Sequence, residues 1–177
     1  EIDLSTLMLI GIDDSRTLVV TLEKEFIVDE CAKKIIDNSC KYFGSTLVER
    51  IKATQRVVNI RSKVPIIIEN SRNIIFFPLK SCREKSNIWI SFNNLVRYEK
   101  KDNVTYLYFK ENKVQKLDFS YYIIDNQVTR SLLLDYEMNK RFGKKTQELK
   151  AYKVKFSFEQ DSGILSYLNE LIIEVRK

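Results

Sequence analysis

The chain of 177 residues contains no histidine. That removes Ser-His-Asp and Cys-His catalysis, His-bearing zinc sites and the commonest general base. Glycine is scarce, at four residues, and no GxGxxG or Walker A string occurs, so no glycine-rich phosphate cradle is encoded. Two prolines and four glycines leave no flexible linker, and neither an internal repeat nor a low-complexity segment divides the sequence. The three cysteines, Cys31, Cys40 and Cys82, are odd in number and lack CxxC spacing. Reduced thiols in a cytoplasmic protein are the simplest reading, with no structural metal and no cofactor. The longest apolar runs, such as 64–68 and 132–134, are far too short to span a bilayer. The opening residues show no charged-then-apolar signal sequence, although the chain begins with Glu1 rather than Met. Carboxylate pairs such as Asp13-Asp14 read as solvated turn acids. Nothing in the pattern argues for an enzyme.

What is present is a basic, core-forming chain. Hydrophobic residues make up 44%, enough for a sizeable core, and the length fits one domain over 1–177. Net charge is +6, which favours a nucleic acid or an acidic membrane surface as partner. Residues 39–63, SCKYFGSTLVERIKATQRVVNIRSK, concentrate the signal: six Lys/Arg against one acid, Glu49. Cys40, Phe43, Leu47, Val48 and Ile51 recur at helical steps. Gly44 interrupts them, since glycine takes positive φ without a Cβ penalty. Thr46-x-x-Glu49 reads as a capping box for a second helix. A strand is expected from about Arg56 to Arg61.

Elsewhere, 7–10 and 17–22 read as a hairpin and 25–28 as a third short strand. Asp29 is expected to cap a helix burying Ala32, Ile35, Ile36, Cys40 and Phe43. Strands follow at 66–69, 74–77, 88–92, 95–98, 106–110 and 114–119. A helix with Ile124, Val128, Leu132, Tyr136 and Lys140 on one stripe should start at Ser120 or Asp125 and end at Gly143. A last helix after Ser162 would bury Leu165, Leu168, Leu171, Ile172 and Val175. The class is α+β: an antiparallel sheet or partly closed barrel packed with about four helices.

The candidate DNA-binding residues are Arg50, Lys52, Lys63, Lys80, Arg83, Lys85 and Arg130. Arg50 and Lys52 fall on the helix after Gly44, whose N-terminus at 45–47 would aim backbone N–H groups at a phosphate. On charge alone they read first as the solvated face of an amphipathic helix. Lys63 stands at a strand end, a place for a phosphate contact. Lys80, Arg83 and Lys85 populate an exposed loop that could enter an A·T-rich minor groove or simply face solvent. Trp89, between Ile88 and Ile90, reads as sheet packing rather than a stacking platform. Gln127 reads as structural, and Arg130 stays open between a polar network, a dimer contact and a DNA contact.

The string IIDNSCKYFGST resembles the signature of the bacterial competence transcription factor (ComK) family, where a DRSCRFFGSS-like string occurs. Lys63-Val64-Pro65-Ile66, Asn73-Ile74-Ile75-Phe76-Phe77-Pro78, Trp89-Ile90-Ser91 and Asn126-Gln127-Val128-Thr129-Arg130 continue the likeness in order. The resemblance implies a cytoplasmic activator of DNA-uptake genes. Such a protein binds paired A·T-rich boxes of double-stranded DNA, largely through the minor groove, as a homodimer or higher oligomer. RNA polymerase is then a functional partner, and an adaptor that delivers the protein to a AAA+ protease is another. The family's FMLYP string would fall at Leu149-Lys150-Ala151-Tyr152-Lys153, where Tyr152 alone matches. The alternative function is a non-enzymatic module that binds a protein partner or an acidic membrane surface.

Overall fold

The computed structural model describes residues 1–102 and 104–142, all within one unit, Glu1–Gln147. Three strands open the chain as an antiparallel meander: β1 (Thr6–Gly11), β2 (Thr17–Thr21) and β3 (Glu25–Val28). Asp13 closes the first turn by accepting from the backbone N–H groups of Ser15 and Arg16, the local carboxylate turn that Asp favours.

Two helices follow, α1 (Ala32–Tyr42) and α2 (Leu47–Val58). The elbow between them turns at Gly44, where φ is +83°. Thr46 caps α2 in the expected reciprocal box with Glu49. Cys31 is the N-cap of α1, with no side-chain cap, so the capping expected of Asp29 is absent. Ala32, Ile36 and Cys40 are buried, and Ile35 and Phe43 pack against them.

The strand expected at 56–61 is helix: α2 runs to Val58 and ends at Asn59, which adopts φ 53° as a left-handed C-cap. Val57 and Val58 suggested a strand by β-propensity, a weak bias that a capped helix packed on its neighbours overrides. Arg56 therefore belongs to a helix and Arg61 to the loop after it.

The rest is β4 (Ile66–Glu69), β5 (Ile74–Pro78), β6 (Ile88–Ser91), β7 (Leu95–Lys101), β8 (Val104–Phe109), β9 (Val114–Leu117) and α3 (Tyr121–Arg141). The strands form a six-stranded sheet, β3-β2-β1-β6-β5-β4, and a separate three-stranded sheet, β7-β8-β9. Every pairing is antiparallel. The class is α+β as expected, but no barrel closes, because β3 and β4 stay at opposite edges of the larger sheet. Three α-helices are present among the described residues rather than about four; the one expected after Ser162 and the stop expected at Gly143 lie outside them.

Register sorts the large sheet into two faces. Leu9, Val19, Trp89, Phe76 and Ile66 share one face and join Ala32, Ile36, Cys40 and Leu47 of α1 and α2 in a single cluster. Trp89 is fully buried there, as its apolar neighbours suggested. Met8, Val20, Ile75, Phe77 and Ile90 point the other way and are equally buried. Strands buried on both faces read as continuous apolar runs, which is why IIFF and IWI show no alternation. α3 packs on β5 and on α2.

The buried side of α3 departs from the expected stripe. Ile124, Gln127, Val128, Ser131, Leu134 and Asp135 are buried, whereas Leu132 and Tyr136 are only partly covered. Ser120 is the N-cap but makes no side-chain cap bond, and Asp125 instead accepts the Tyr98 hydroxyl at 2.7 Å.

Candidate nucleic-acid interface

The antiparallel register brings several chain ends to one end of the six-stranded sheet. Ile10 faces Ile88, Pro78 faces Trp89, and Ile66 faces Phe76. The β1–β2 turn, the α2–β4 loop at 59–65 and the β5–β6 loop at 79–87 therefore emerge side by side.

Three side chains join these loops. Gln127, 1% exposed, donates from Nε2 to the Lys63 carbonyl at 2.9 Å and to the Pro78 carbonyl at 2.6 Å. The Cys82 thiol lies 3.8 Å from the Val64 carbonyl. Lys85 reaches Asp14 of the β1–β2 turn at 3.8 Å. Gln127 is thus structural, as its sequence position suggested.

The 79–87 loop is pinned from inside. Asn87, fully buried, donates to the carbonyls of Lys80 (3.2 Å) and Ser81 (2.8 Å) and accepts from the N–H groups of Lys80 (2.9 Å) and Ile88 (2.8 Å). On the other side the loop lies against Gly11, where an added Cβ would meet the Ser86 Cα at 2.5 Å. A glycine is needed at that point for close backbone approach. The loop is exposed, but it is a held shape.

Lys63 sits in this cluster with φ 48°, half-buried, and among the described residues its ammonium has no acid within ion-pair range. Arg83 is exposed and, among the described residues, likewise without an acidic partner. Lys80 lies 3.8 Å from Glu84, and Lys85 keeps its loose contact with Asp14; exposed pairs at such distances are worth about 0–1 kcal/mol and yield easily to a polyanion. Arg130 donates to the Ser62 carbonyl at 2.8 Å and to Gln127 Oε1 at 3.3 Å, and burial pulls its pKa below the ordinary arginine value. Among the roles left open for Arg130, its contacts are those of a polar network holding the α2–β4 loop.

Two expectations change. Arg50 is not on the free face beside Lys52. Its guanidinium donates to the Phe43 carbonyl at 3.1 Å and to Asn70 at 3.4 Å, and its Nε is buried without a partner. It braces the elbow against the β4–β5 turn, at the opposite end of the sheet from Lys63. Nor is the α2 N-terminus open to a phosphate. The Leu47 N–H goes to Asp37 Oδ1 at 2.9 Å, and Thr46 and Glu49 close their box. The chain's own carboxylates already satisfy the helix's preference for negative charge.

Lys52 is exposed on α2, one turn from Arg56, and the two share a side of the helix at i, i+4. Arg56 and Arg61, expected on a strand, are not among the candidate DNA-binding residues. As a helix the segment carries Lys52 and Arg56 toward the Lys63 end, and exposed Arg61 follows in the loop. The capping box marks where α2 starts and not where it ends, so no local signal carried the helix as far as Arg56.

Three of the quoted sequence strings, KVPI, NIIFFP and NQVTR, meet in space through Gln127. SCKYFGST builds the elbow, KVPI opens β4, NIIFFP is β5, and NQVTR carries Gln127 and Arg130. One side chain, Gln127, bonds the second and third of these. A family model described as ComK protein matches residues 1–143. The chain belongs to the ComK family. A curated relative, the Bacillus subtilis (strain 168) protein named competence transcription factor, is 31% identical over 124 residues, covering 68% of this chain. The match spans 65% of that relative's length. No solved structure matches. The ComK-family region thus takes in every described element, and three of its strings, KVPI, NIIFFP and NQVTR, are tied together beneath the basic end of the sheet. Among the described residues no helix is long and apolar enough to cross a membrane, and no three acidic or thiol groups converge to hold a metal.

Proposed function

We propose that this ComK-family chain is a non-enzymatic, cytoplasmic transcription regulator of competence genes that binds A·T-rich double-stranded DNA. The single observation that supports it is the convergence of Arg56, Arg61, Lys63 and Arg83, four cations without acidic partners among the described residues, at one end of the sheet. Beneath them Gln127, Asn87 and Arg130 hold the loops in place. Backbone phosphates bind such a surface by releasing counterions. The pinned 79–87 loop, with Arg83 exposed on it, is the element shaped to enter a narrow, electronegative minor groove. The relative's name, competence transcription factor, and the family assignment support the regulatory reading. Partners under this reading are a second copy of the chain on paired boxes, RNA polymerase, and an adaptor with a AAA+ protease.

The experiment is an anisotropy titration of the full chain with A·T-rich and G·C-rich duplexes across salt. Four phosphate contacts at ~0.9 each give a log–log slope near −3.6, roughly a hundredfold loss from about 50 to 200 mM salt. Tighter binding to A·T-rich duplex supports the proposal. Failure to bind duplex at low salt, or equal binding to acidic liposomes with indifference to base composition, refutes it.

A further inference from the structure

The three-stranded sheet carries a second surface with a different chemistry. β8 is its middle strand. One face of the sheet is buried, through Tyr98, Leu107, Phe109 and Leu117. Arg97 pairs across from Tyr108, Glu99 from Tyr106, and Tyr106 from Lys116. Strand alternation therefore puts Arg97, Glu99, Lys101, Tyr106, Tyr108 and Lys116 together on the opposite, outward face. Arg97, Lys101 and Lys116 are exposed, and both tyrosines are partly so.

This face is cationic and aromatic at once. The Arg97 guanidinium lies 3.4 Å from the Tyr108 ring centroid, stacked upon it, and the Lys101 ammonium is 5.7 Å from the Tyr106 ring. The only carboxylate of the set, Glu99, is shared among Arg97 at 3.1 Å, Lys101 at 2.8 Å and the Tyr108 hydroxyl. Lys116 keeps no acidic partner among the described residues. Three cations against one acid leave the face positive.

The spacing of the rings selects the ligand. Tyr106 and Tyr108, two residues apart, stand about 6.8 Å from each other along the strand. That is twice the ~3.4 Å rise of stacked bases, so neighbouring bases could lie on both positions only when unstacked. A single strand reaches that state freely, whereas a duplex does not. A basic sheet with aromatic and guanidinium planes on its central strand is suited to single strands.

We infer that the outward face of β7-β8-β9 binds single-stranded nucleic acid. One base stacks on Tyr106 and the next on the Arg97–Tyr108 pair, with the backbone running past Lys101 and Lys116. The site lies on a different sheet from the duplex surface proposed above and does not depend on it.

The test is an anisotropy titration of the full-length chain with labelled oligothymidine at low salt, beside an A·T-rich duplex. Tyr106→Leu/Tyr108→Leu keeps apolar bulk and removes both stacking planes. Oligothymidine affinity should fall at least about tenfold, the worth of one stacked base, while duplex affinity changes less than about twofold. Lys116→Glu, at an exposed position that leaves the packing alone, should weaken oligothymidine binding in the same selective way. Photocrosslinking of a halogenated single strand to the unmodified protein should map to Tyr106 or Tyr108, which keeps the test decisive if the double variant fails to fold. The inference is overturned if the chain does not bind oligothymidine, if the variants lose single strand and duplex in parallel, or if crosslinks fall outside β7–β9. It is also overturned if Tyr106→Leu/Tyr108→Leu alters only the oligomeric mass, because the face would then serve self-association.

Discussion

Replacing Gln127 with Leu should expose how much of the architecture rests on one amide. The side chains are close in volume, so packing is largely kept; two donated hydrogen bonds are lost, and Arg130 loses its long bond to Gln127 Oε1 while keeping the Ser62 carbonyl. The Pro78 carbonyl, on a fully buried strand, would be stranded at a cost of about 2 kcal/mol, within the 1–3 kcal/mol range for an unsatisfied buried acceptor. The Lys63 carbonyl belongs to a half-buried residue and can recover a water, so its loss costs about 1 kcal/mol. The sum, about 3 kcal/mol, is a large part of a typical stability of roughly 5–15 kcal/mol. It corresponds to a fall in Tm of about 10 °C for a unit of this size. Urea unfolding followed by tryptophan fluorescence is the natural assay, because Trp89 is the only tryptophan and is fully buried. Tyr122→Ala, on the same helix but 75% exposed, should change stability by less than about 0.5 kcal/mol. A Gln127→Leu protein as stable as the parent within that margin would refute the reasoning, and with it the idea that α3 holds the loops of the basic end.

Other outcomes follow from separate contacts. Gly11→Ala would press a Cβ into Ser86, so it should cost about 1–3 kcal/mol in urea melts and weaken duplex binding by shifting the 79–87 loop. Thr46→Ala removes the α2 cap and should cost about 1 kcal/mol by thermal melting, with duplex affinity little changed. Glu69 is pushed up by burial but held down, to about 2, by bonds from Ser71 and Arg72. A depressed carboxylate stabilises above its unfolded value of 4.5 and loses that contribution as pH falls toward 2, so Glu69→Gln should flatten the acid limb of a stability–pH profile over that window. Burial pushes the Cys40 thiol up to about 12, so in the native protein Cys40 should resist a thiol reagent that labels the partly exposed Cys31.

Local chemistry was legible where it is governed by residues close in sequence. The glycine elbow, the Thr46–Glu49 box, the early hairpin and the apolar strands 66–69, 74–77 and 88–91 all follow from turn residues, caps and runs. The end of α2 was not, because two valines carry a strand bias that tertiary packing reverses. The buried stripe of α3 was also hidden: Gln127, Ser131 and Asp135 look like a solvated face until their partners appear. Those partners come from far along the chain, Lys63 and Pro78 for Gln127 and Asn73 for Asp135. The contacts of Arg50 were hidden for the same reason, since nothing near it in sequence announces Asn70 as a partner. Charge marked the basic segments, but which cations are spent on structure and which stay free is decided by pairing across the sheet.

The most direct test of the DNA-binding surface is the salt dependence of A·T-rich duplex binding by Arg61→Gln/Lys63→Gln/Arg83→Gln, measured beside the parent chain and a Lys110→Gln/Lys113→Gln control in the β8–β9 connection. Three lost phosphate contacts at ~0.9 each should reduce the magnitude of the log–log slope by about 2.7, with the control unchanged. An undiminished slope in the triple variant, or an equal loss in the control, would contradict the assignment of the duplex to the end of the sheet that Gln127 and Asn87 hold together.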